Sequence, residues 1–295
     1  MKKTAFIAIV GRPNVGKSTL LNSILGEKVA IVSKKPQTTR NRITGIHTVG
    51  ENQFVFLDTP GMHKPRTKLG DFMVKTTSQT LGGVDSAILV VEAREEVGDI
   101  EAQIISRFKS EGLGAILVIN KIDTVRASNV AKTIAAYAEA FDFDAVIPIS
   151  AKSGKGVDTV VAECERYLNE SDWFFPDDIV TDQPEKQVAA EIIREKLLRM
   201  LEEEIPHGTA VTIEEWRERA GAVSIRAEIY CEKASHKGII IGKGAATIKK
   251  IGTYAREDIE KMLDAKVFLD LYVRVKENWR DREFNISDFG YREDD

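Results

Sequence analysis

Up to about residue 170, short apolar runs alternate with stretches of helical period. Segments 6–10, 53–57, 87–91, 115–119 and 145–149 are apolar throughout or nearly so. Strands buried on both faces of a parallel sheet read this way, because neither side of the pleat faces water. Between them, 17–25, 100–110 and 129–140 have the length and spacing of helices. The alternation predicts a doubly wound α/β domain with a mostly parallel sheet.

The sequence ESDWFFPDDIVTDQP, residues 170–184, breaks the rhythm with two prolines and a cluster of acids. This predicts a first domain over 1–172, a linker over 173–184 and a second domain over 185–295. The second domain opens with an amphipathic helix, 185–204. It continues with strand-like segments at 210–216 and 224–231, a Gly-rich turn at 242–244, helical stretches to about 263 and a last strand at 266–275. It is a smaller α+β unit.

Composition narrows the classes. A chain of 295 residues exceeds one typical core and suits two domains. A net charge of −4 and a pI near 5.8 argue against indiscriminate nucleic-acid binding but allow a local basic patch. Cys164 and Cys231 are far apart in sequence and suggest neither a disulfide framework nor a metal site, as expected in a reducing cytosol. The apolar runs are of strand length, too short to span a membrane. The apolar start resembles a signal peptide, but it is short and leads straight into a phosphate-loop motif, so it reads as a first buried strand.

That motif is Gly11-Arg12-Pro13-Asn14-Val15-Gly16-Lys17-Ser18, followed by Thr19. It fits GxxxxGK[ST] and lies between an expected strand and an expected helix. Glycines let backbone N–H groups turn onto phosphates, and a helix N-terminus favours their charge. Lys17 is placed to reach the β- and γ-phosphates and Ser18 to ligate Mg²⁺. Asp58-Thr59-Pro60-Gly61 follows the second apolar run: the Asp58 carboxylate can hold Mg²⁺ through water, and the Gly61 amide can sense a γ-phosphate. Asn120-Lys121-Ile122-Asp123 follows the fourth. The Asp123 carboxylate can accept hydrogen bonds from guanine N1–H and the 2-amino group, a pattern adenine lacks, which opposes an ATPase reading. Ser150-Ala151-Lys152 follows the fifth and can offer a backbone N–H to guanine O6. All four motifs stand at carboxyl ends of expected strands, where open α/β sheets bind ligands.

Between the first two motifs, a threonine of Gln37-Thr38-Thr39-Arg40 can complete a Mg²⁺ shell when γ-phosphate is present. Thr39 is the candidate, with Thr38 as the alternative. Lys17, Thr39 and Gly61 are thus the expected catalytic groups. The motifs resemble the translation-factor-related GTPases, and within them the Era/Der/MnmE group. Ras-type enzymes carry a water-orienting glutamine after the DxxG glycine. Here Met62 stands there and cannot orient water, so slow intrinsic turnover is expected. Some members of the group recruit K⁺ through a phosphate-loop asparagine, here Asn14, and the resemblance implies K⁺ as a further cofactor beside GTP/GDP and Mg²⁺.

In the second domain, Ile239 to Ile248 resembles the KH signature, an apolar pair, then GxxG, then a helix, which clamps about four nucleotides of single-stranded RNA. Gly242, Lys243, Gly244 and Ala245 would form the loop, with Ile239, Ile240 and Ile241 as an apolar floor for bases and Lys237, Lys249 and Lys250 as phosphate contacts. Five lysines and no acid lie between Lys233 and Lys250. The fourth loop position is Ala245 rather than glycine; its methyl is small and compatible with a helix start. The element order matches the type II KH variant.

One GTPase domain followed by one KH domain resembles the Era family over nearly the whole chain, including Glu203-Glu204-Ile205-Pro206-His207 and Asn278-Trp279-Arg280. That resemblance implies a switch in which GTP favours binding of the 3′ end of 16S ribosomal RNA during small-subunit assembly. It also implies a monomer in the cytoplasm, with peripheral contact to the inner membrane face at most. A different reading is an RNA-binding chaperone in which GTP only tunes affinity. His63 and His207 read as loop hydrogen-bonding residues.

Overall fold

The computed structural model describes residues 1–219 and 221–292. They divide into two compact units. The first comprises Met1–Val32, Thr39–Pro65 and Gly70–Asp182; the second is built on residues from Gln183 onward and takes in Ser33–Thr38 and Arg66–Leu69.

The strands of the first unit are β1 (Lys3–Val10), β2 (Ile43–Val49), β3 (Asn52–Asp58), β4 (Ser86–Glu92), β5 (Ala115–Asn120), β6 (Ala145–Pro148) and the short β7 (Asn169–Glu170). Its helices are α1 (Lys17–Leu25), α2 (Lys68–Leu81), α3 (Asp99–Glu111), α4 (Ala127–Ala140) and α5 (Val157–Cys164). The sheet order is β2-β3-β1-β4-β5-β6, with β7 antiparallel on β1. Pairings from β3 through β6 are parallel, and β2 is antiparallel to β3. Alternation along β1 divides the core. Ile7 and Ile9 pack with Leu20, Leu21, Val157 and Val160 of α1 and α5, while Ala8 and Val10 pack with Ile104, Phe108 and Tyr137 of α3 and α4. Both faces are therefore covered, which is why the strands carry no polar alternation.

Residues 173–182, expected as a linker, instead bind the first unit. The buried Gln53 side chain accepts from the amides of Phe174 and Phe175 and donates to the Phe175 carbonyl at 2.8 Å. Phe174 packs edge-on against Phe6, and the Ile46 amide donates to the Val180 carbonyl at 2.8 Å. The aromatic residues and a sheet edge in need of partners decide the matter, against the prolines and acids that suggested a free connection.

The second unit contains α6 (Glu185–Met200), β8 (Ala210–Arg219), β9 (Ala222–Cys231), α7 (Ala234–Ile241), α8 (Ala246–Leu263), β10 (Lys266–Val275) and α9 (Glu283–Asp288). Its sheet order is β10-β9-β8, with β10 parallel and β8 antiparallel to β9. Ile192, Ile193 and Leu197 of α6 join Ile251, Ala255 and Ile259 of α8 and Ile225, Ala227 and Ile229 of β9 in one core. The helix expected over 185–204 ends at Met200, where Leu201 turns extended (φ −98°, ψ 154°). Among the described residues, no helix is long and apolar enough to cross a membrane.

Candidate nucleotide and nucleic-acid sites

The loop between β1 and α1 is the centre of the first site. Its backbone turns at Asn14 (φ 66°) and Gly16 (φ 102°), and Lys17 begins α1. The Lys17 ammonium, 6 % exposed, donates to the carbonyls of Gly11 (3.2 Å) and Arg12 (3.0 Å). Burial lowers its pKa to about 8, against the opposing pull of Asp58. Met62 donates its amide to the Gly11 carbonyl at 3.1 Å, while its side chain lies in the core beside Ala8 and Val10. The Met62 side chain therefore brings no polar group to the site.

Three hard oxygen donors converge next to Lys17. Ser18 Oγ is 2.6 Å from Asp58 Oδ2 and 2.8 Å from Thr39 Oγ1. Asp58 is fully buried, its Oδ1 has no hydrogen-bond partner, and burial raises its carboxyl to about pKa 6 despite Lys17, Ser18 and Thr39. A buried oxygen donor set with an orphaned carboxylate atom fits Mg²⁺, which takes such ligands and keeps several waters. Ser18, Thr39 and Asp58 are the residues that would hold it. When bound, the ion neutralises charge on the β- and γ-phosphates. Thr38, the alternative, instead donates its hydroxyl to the Lys35 carbonyl at 2.7 Å.

The base side is organised by Asn120, 3 % exposed. Its Nδ2 donates to the Val15 carbonyl (2.9 Å), and its Oδ1 accepts from the amides of Lys121 (2.8 Å) and Ala151 (2.9 Å). Lys121 Nζ donates to the Asn14 carbonyl at 2.6 Å and pairs with Glu92. Asp123 is exposed at the mouth, its carboxyl held below the ordinary range by the Ser150 side chain and then by its own backbone amide. Lys152 is exposed and Ser150 buried. Thr59 and Pro60 face inward: Thr59 Oγ1 donates to the Ile9 carbonyl, and the Pro60 carbonyl accepts from Thr77. They shape the loop from behind. His63 Nδ1 lies 2.9 Å from the Gly61 carbonyl, and His207 is buried.

The second unit brings a different loop together. Lys237, Lys243, Lys249 and Lys250 are all exposed around the turn from α7 to α8. A Cβ on Gly242 would lie 2.3 Å from Thr247 Oγ1, so close approach of α8 requires glycine there. Gly244 (φ 59°, ψ 26°) and Ala245 (φ 62°, ψ 23°) are both left-handed. Ala245 precedes α8 rather than starting it, so its methyl sits in a conformation that costs an L-residue about 1–2 kcal/mol. A second correction concerns the floor. Ile240 is fully buried in the core, Ile241 is half-buried, and Ile239 is 50 % exposed. Residues 239–241 are on helix α7, where three consecutive side chains point in three directions, and only the structure sets the phase. Tyr254, also unanticipated, is 45 % exposed on α8 with Lys250 Nζ 5.9 Å from its ring centre.

Fold and sites together define a phosphate-loop GTPase joined to a KH domain. The family described as "50S ribosome-binding GTPase" matches residues 6–121 and the KH family matches 204–280. GTPase Era of Clostridium kluyveri is 50 % identical over 293 residues, covering 99 % of this chain and all of that protein. GTPase Era of Ruminiclostridium cellulolyticum is 47 % identical over 98 % of both chains. Two solved Era structures superpose with TM-scores of 0.94 at 39 % identity: an Aquifex aeolicus variant bound to GDP·AlF₄⁻, covering 98 % of this chain and 99 % of that one, and Era with MgGDPNP and nucleotides 1506–1542 of 16S ribosomal RNA, covering 99 % of both. The chain belongs to the Era family of GTPases. Its reaction is hydrolysis of GTP, with GTP or GDP and Mg²⁺ as its ligands.

Two outcomes follow from this geometry. With Asp123 read as the guanine acceptor, replacing it by Ala would remove two charge-assisted hydrogen bonds, each contributing roughly 1.5–3 kcal/mol, and GDP affinity measured by calorimetry is expected to fall on the order of a hundredfold or more. A fall under threefold would remove Asp123 from base recognition. Ala245→Gly relieves the left-handed methyl and raises KH-unit stability by about 1 kcal/mol in urea unfolding of the full chain; a lowered midpoint would contradict the strain.

Proposed function

We propose that this protein is a GTP-gated switch that binds single-stranded small-subunit ribosomal RNA near its 3′ end and acts in assembly of the small ribosomal subunit. One observation carries the reading: the relative that matches 99 % of this chain at a TM-score of 0.94 was solved with MgGDPNP and nucleotides 1506–1542 of 16S ribosomal RNA. The description of the matched GTPase family names the 50S subunit, but it covers residues 6–121 alone, so the whole-chain relative is the more specific guide.

In this reading, Lys17 and the phosphate-loop amides stabilise charge as water attacks the γ-phosphorus in line. Thr39 and the Gly61 amide report the presence of the γ-phosphate. Asp123 and Ser150-Ala151-Lys152 select guanine. Met62 lends no polar group to the attacking water, so intrinsic turnover is slow, and K⁺ held through Asn14 supplies compensating positive charge. In the KH unit, Gly242-Lys243-Gly244-Ala245 clamps the RNA backbone, Ile239 and Ile241 offer the apolar floor, and Lys237, Lys249 and Lys250 meet phosphates. Ile240 supports that floor from inside. The protein works as a monomer in the cytoplasm, which fits the two buried free thiols, Cys164 and Cys231.

Steady-state GTP turnover, with and without an RNA copying the 3′ end of 16S ribosomal RNA, tests the switch. A rise with RNA, abolished in Lys17→Ala, is expected; tight RNA binding with unchanged turnover would favour a chaperone for which GTP is only an affinity effector. Exchanging K⁺ for Na⁺ at equal ionic strength is expected to slow hydrolysis, and equal rates would remove the Asn14 cation.

A further inference from the structure

The second residue of the phosphate loop, Arg12, has its own partner away from the phosphates. Its Nε lies 2.5 Å from Glu101 Oε1 and 2.7 Å from Oε2. Glu101 stands in the first turn of α3 and is 5 % exposed, whereas Arg12 is 25 % exposed. The guanidinium reaches Glu101 by passing over Gly98, where an added Cβ would come within 1.7 Å of Arg12 Nη2. Gly98 itself has an ordinary backbone (φ −80°, ψ 166°), so space and not conformation calls for glycine there.

The backbone that this side chain anchors is the part of the loop that faces the reaction. The Arg12 carbonyl accepts from Lys17 Nζ at 3.0 Å. The next residue, Pro13, lies against the glycine that meets the γ-phosphate: a Cβ on Gly61 would sit 2.6 Å from both Pro13 N and Cα. A shift of the loop at Arg12 therefore moves the groove that seats Gly61 and one of the two carbonyls that hold the Lys17 ammonium. Farther along the same loop, the Asn14 and Val15 carbonyls are held from the base side by Lys121 and Asn120.

We propose that Glu101 is a positioning residue for GTP hydrolysis, acting through Arg12 to fix the phosphate loop against Gly61. A half-buried ion pair with nearly all of one partner out of water has a defined geometry, and hydrolysis is sensitive to displacements of about 1 Å. The pair sits at the Pro13 end of the loop, against Gly61, while the base-side residues hold its Asn14–Val15 end, so its loss is expected to weaken what requires the γ-phosphate more than what GDP requires.

Two variants separate positioning from simple stabilisation. In Gly98→Ala the new methyl would fall 1.7 Å from Arg12 Nη2 and 2.8 Å from Glu101 Oε2, so it forces the pair out of its geometry while both charges remain. The expected result is a roughly tenfold or greater fall in kcat, with affinity for GDPNP reduced more than affinity for GDP. The double variant Arg12→Met with Glu101→Met removes both charges and leaves none unpaired, so it recovers the thermal stability lost in Glu101→Ala. It is expected to keep the low kcat and the reduced GDPNP-to-GDP affinity ratio. A double variant that hydrolyses GTP at the parental rate would overturn the proposal, as would a Gly98→Ala protein with parental kcat and affinity ratio. Should the double variant not fold, the Gly98→Ala measurements decide alone.

Discussion

The Asn120 side-chain amide holds three loops in place at once. Its Nδ2 is bonded to the Val15 carbonyl of the phosphate loop, and its Oδ1 to the amides of Lys121 and Ala151. These polar groups are buried, and each would incur a desolvation cost if left unpaired. The geometry also dictates Gly16, because a Cβ there would come within 2.2 Å of Asn120 Nδ2. The register of the sheet makes the bond possible: β1, β4, β5 and β6 run parallel and deliver the loops to one edge. A slip of one residue in β5 would turn Asn120 to the opposite face and break its bonds to Val15 and Ala151.

Burial of charge is the second constraint. Lys17 and Asp58 lie out of water, and desolvation pushes the lysine down to about 8 and the aspartate up to about 6, both toward their neutral forms. A site that disfavours its own charges is matched to a ligand that brings the complementary ones, namely phosphate oxygens for Lys17 and a divalent cation for Asp58. Asp58 Oδ1 without a partner is the same fact in geometric form.

Much of this was legible in the residues. The parallel strands announce themselves because burial on both faces leaves no polar alternation, and α1 and β10 match their expected bounds. The phosphate loop, the Asp58 motif and the Asn120 motif fix the site because their spacing to those strands is rigid. What was not legible depended on tertiary partners. Strand β2 (Ile43–Val49) mixes threonine, histidine and glycine with isoleucine, and it pairs only because β3 and residues 173–182 flank it. The burial of Ile240 and exposure of Ile239 depend on the rotational setting of α7. The Arg12 motif position suggested a nucleotide contact, yet its partner Glu101 lies on α3, and no local pattern links the two.

Both units are suited to polyanions within a chain of net charge −4. Neither uses charge as its main discriminator. In the first, backbone turned by Asn14 and Gly16 surrounds the phosphate-loop lysine, and in the proposed reading selectivity rests on one acidic side chain, Asp123, whose hydrogen-bond pattern suits guanine. In the second, backbone turned by Gly242, Gly244 and Ala245 plays the corresponding part beside exposed lysines. Lysines alone would bind any nucleic acid in proportion to released counterions. In the proposed reading, an apolar floor for unstacked bases adds a demand that duplexes would not meet. The left-handed alanine fits this division of labour: the loop keeps a conformation that its own side chain disfavours, so the rest of the unit must impose it.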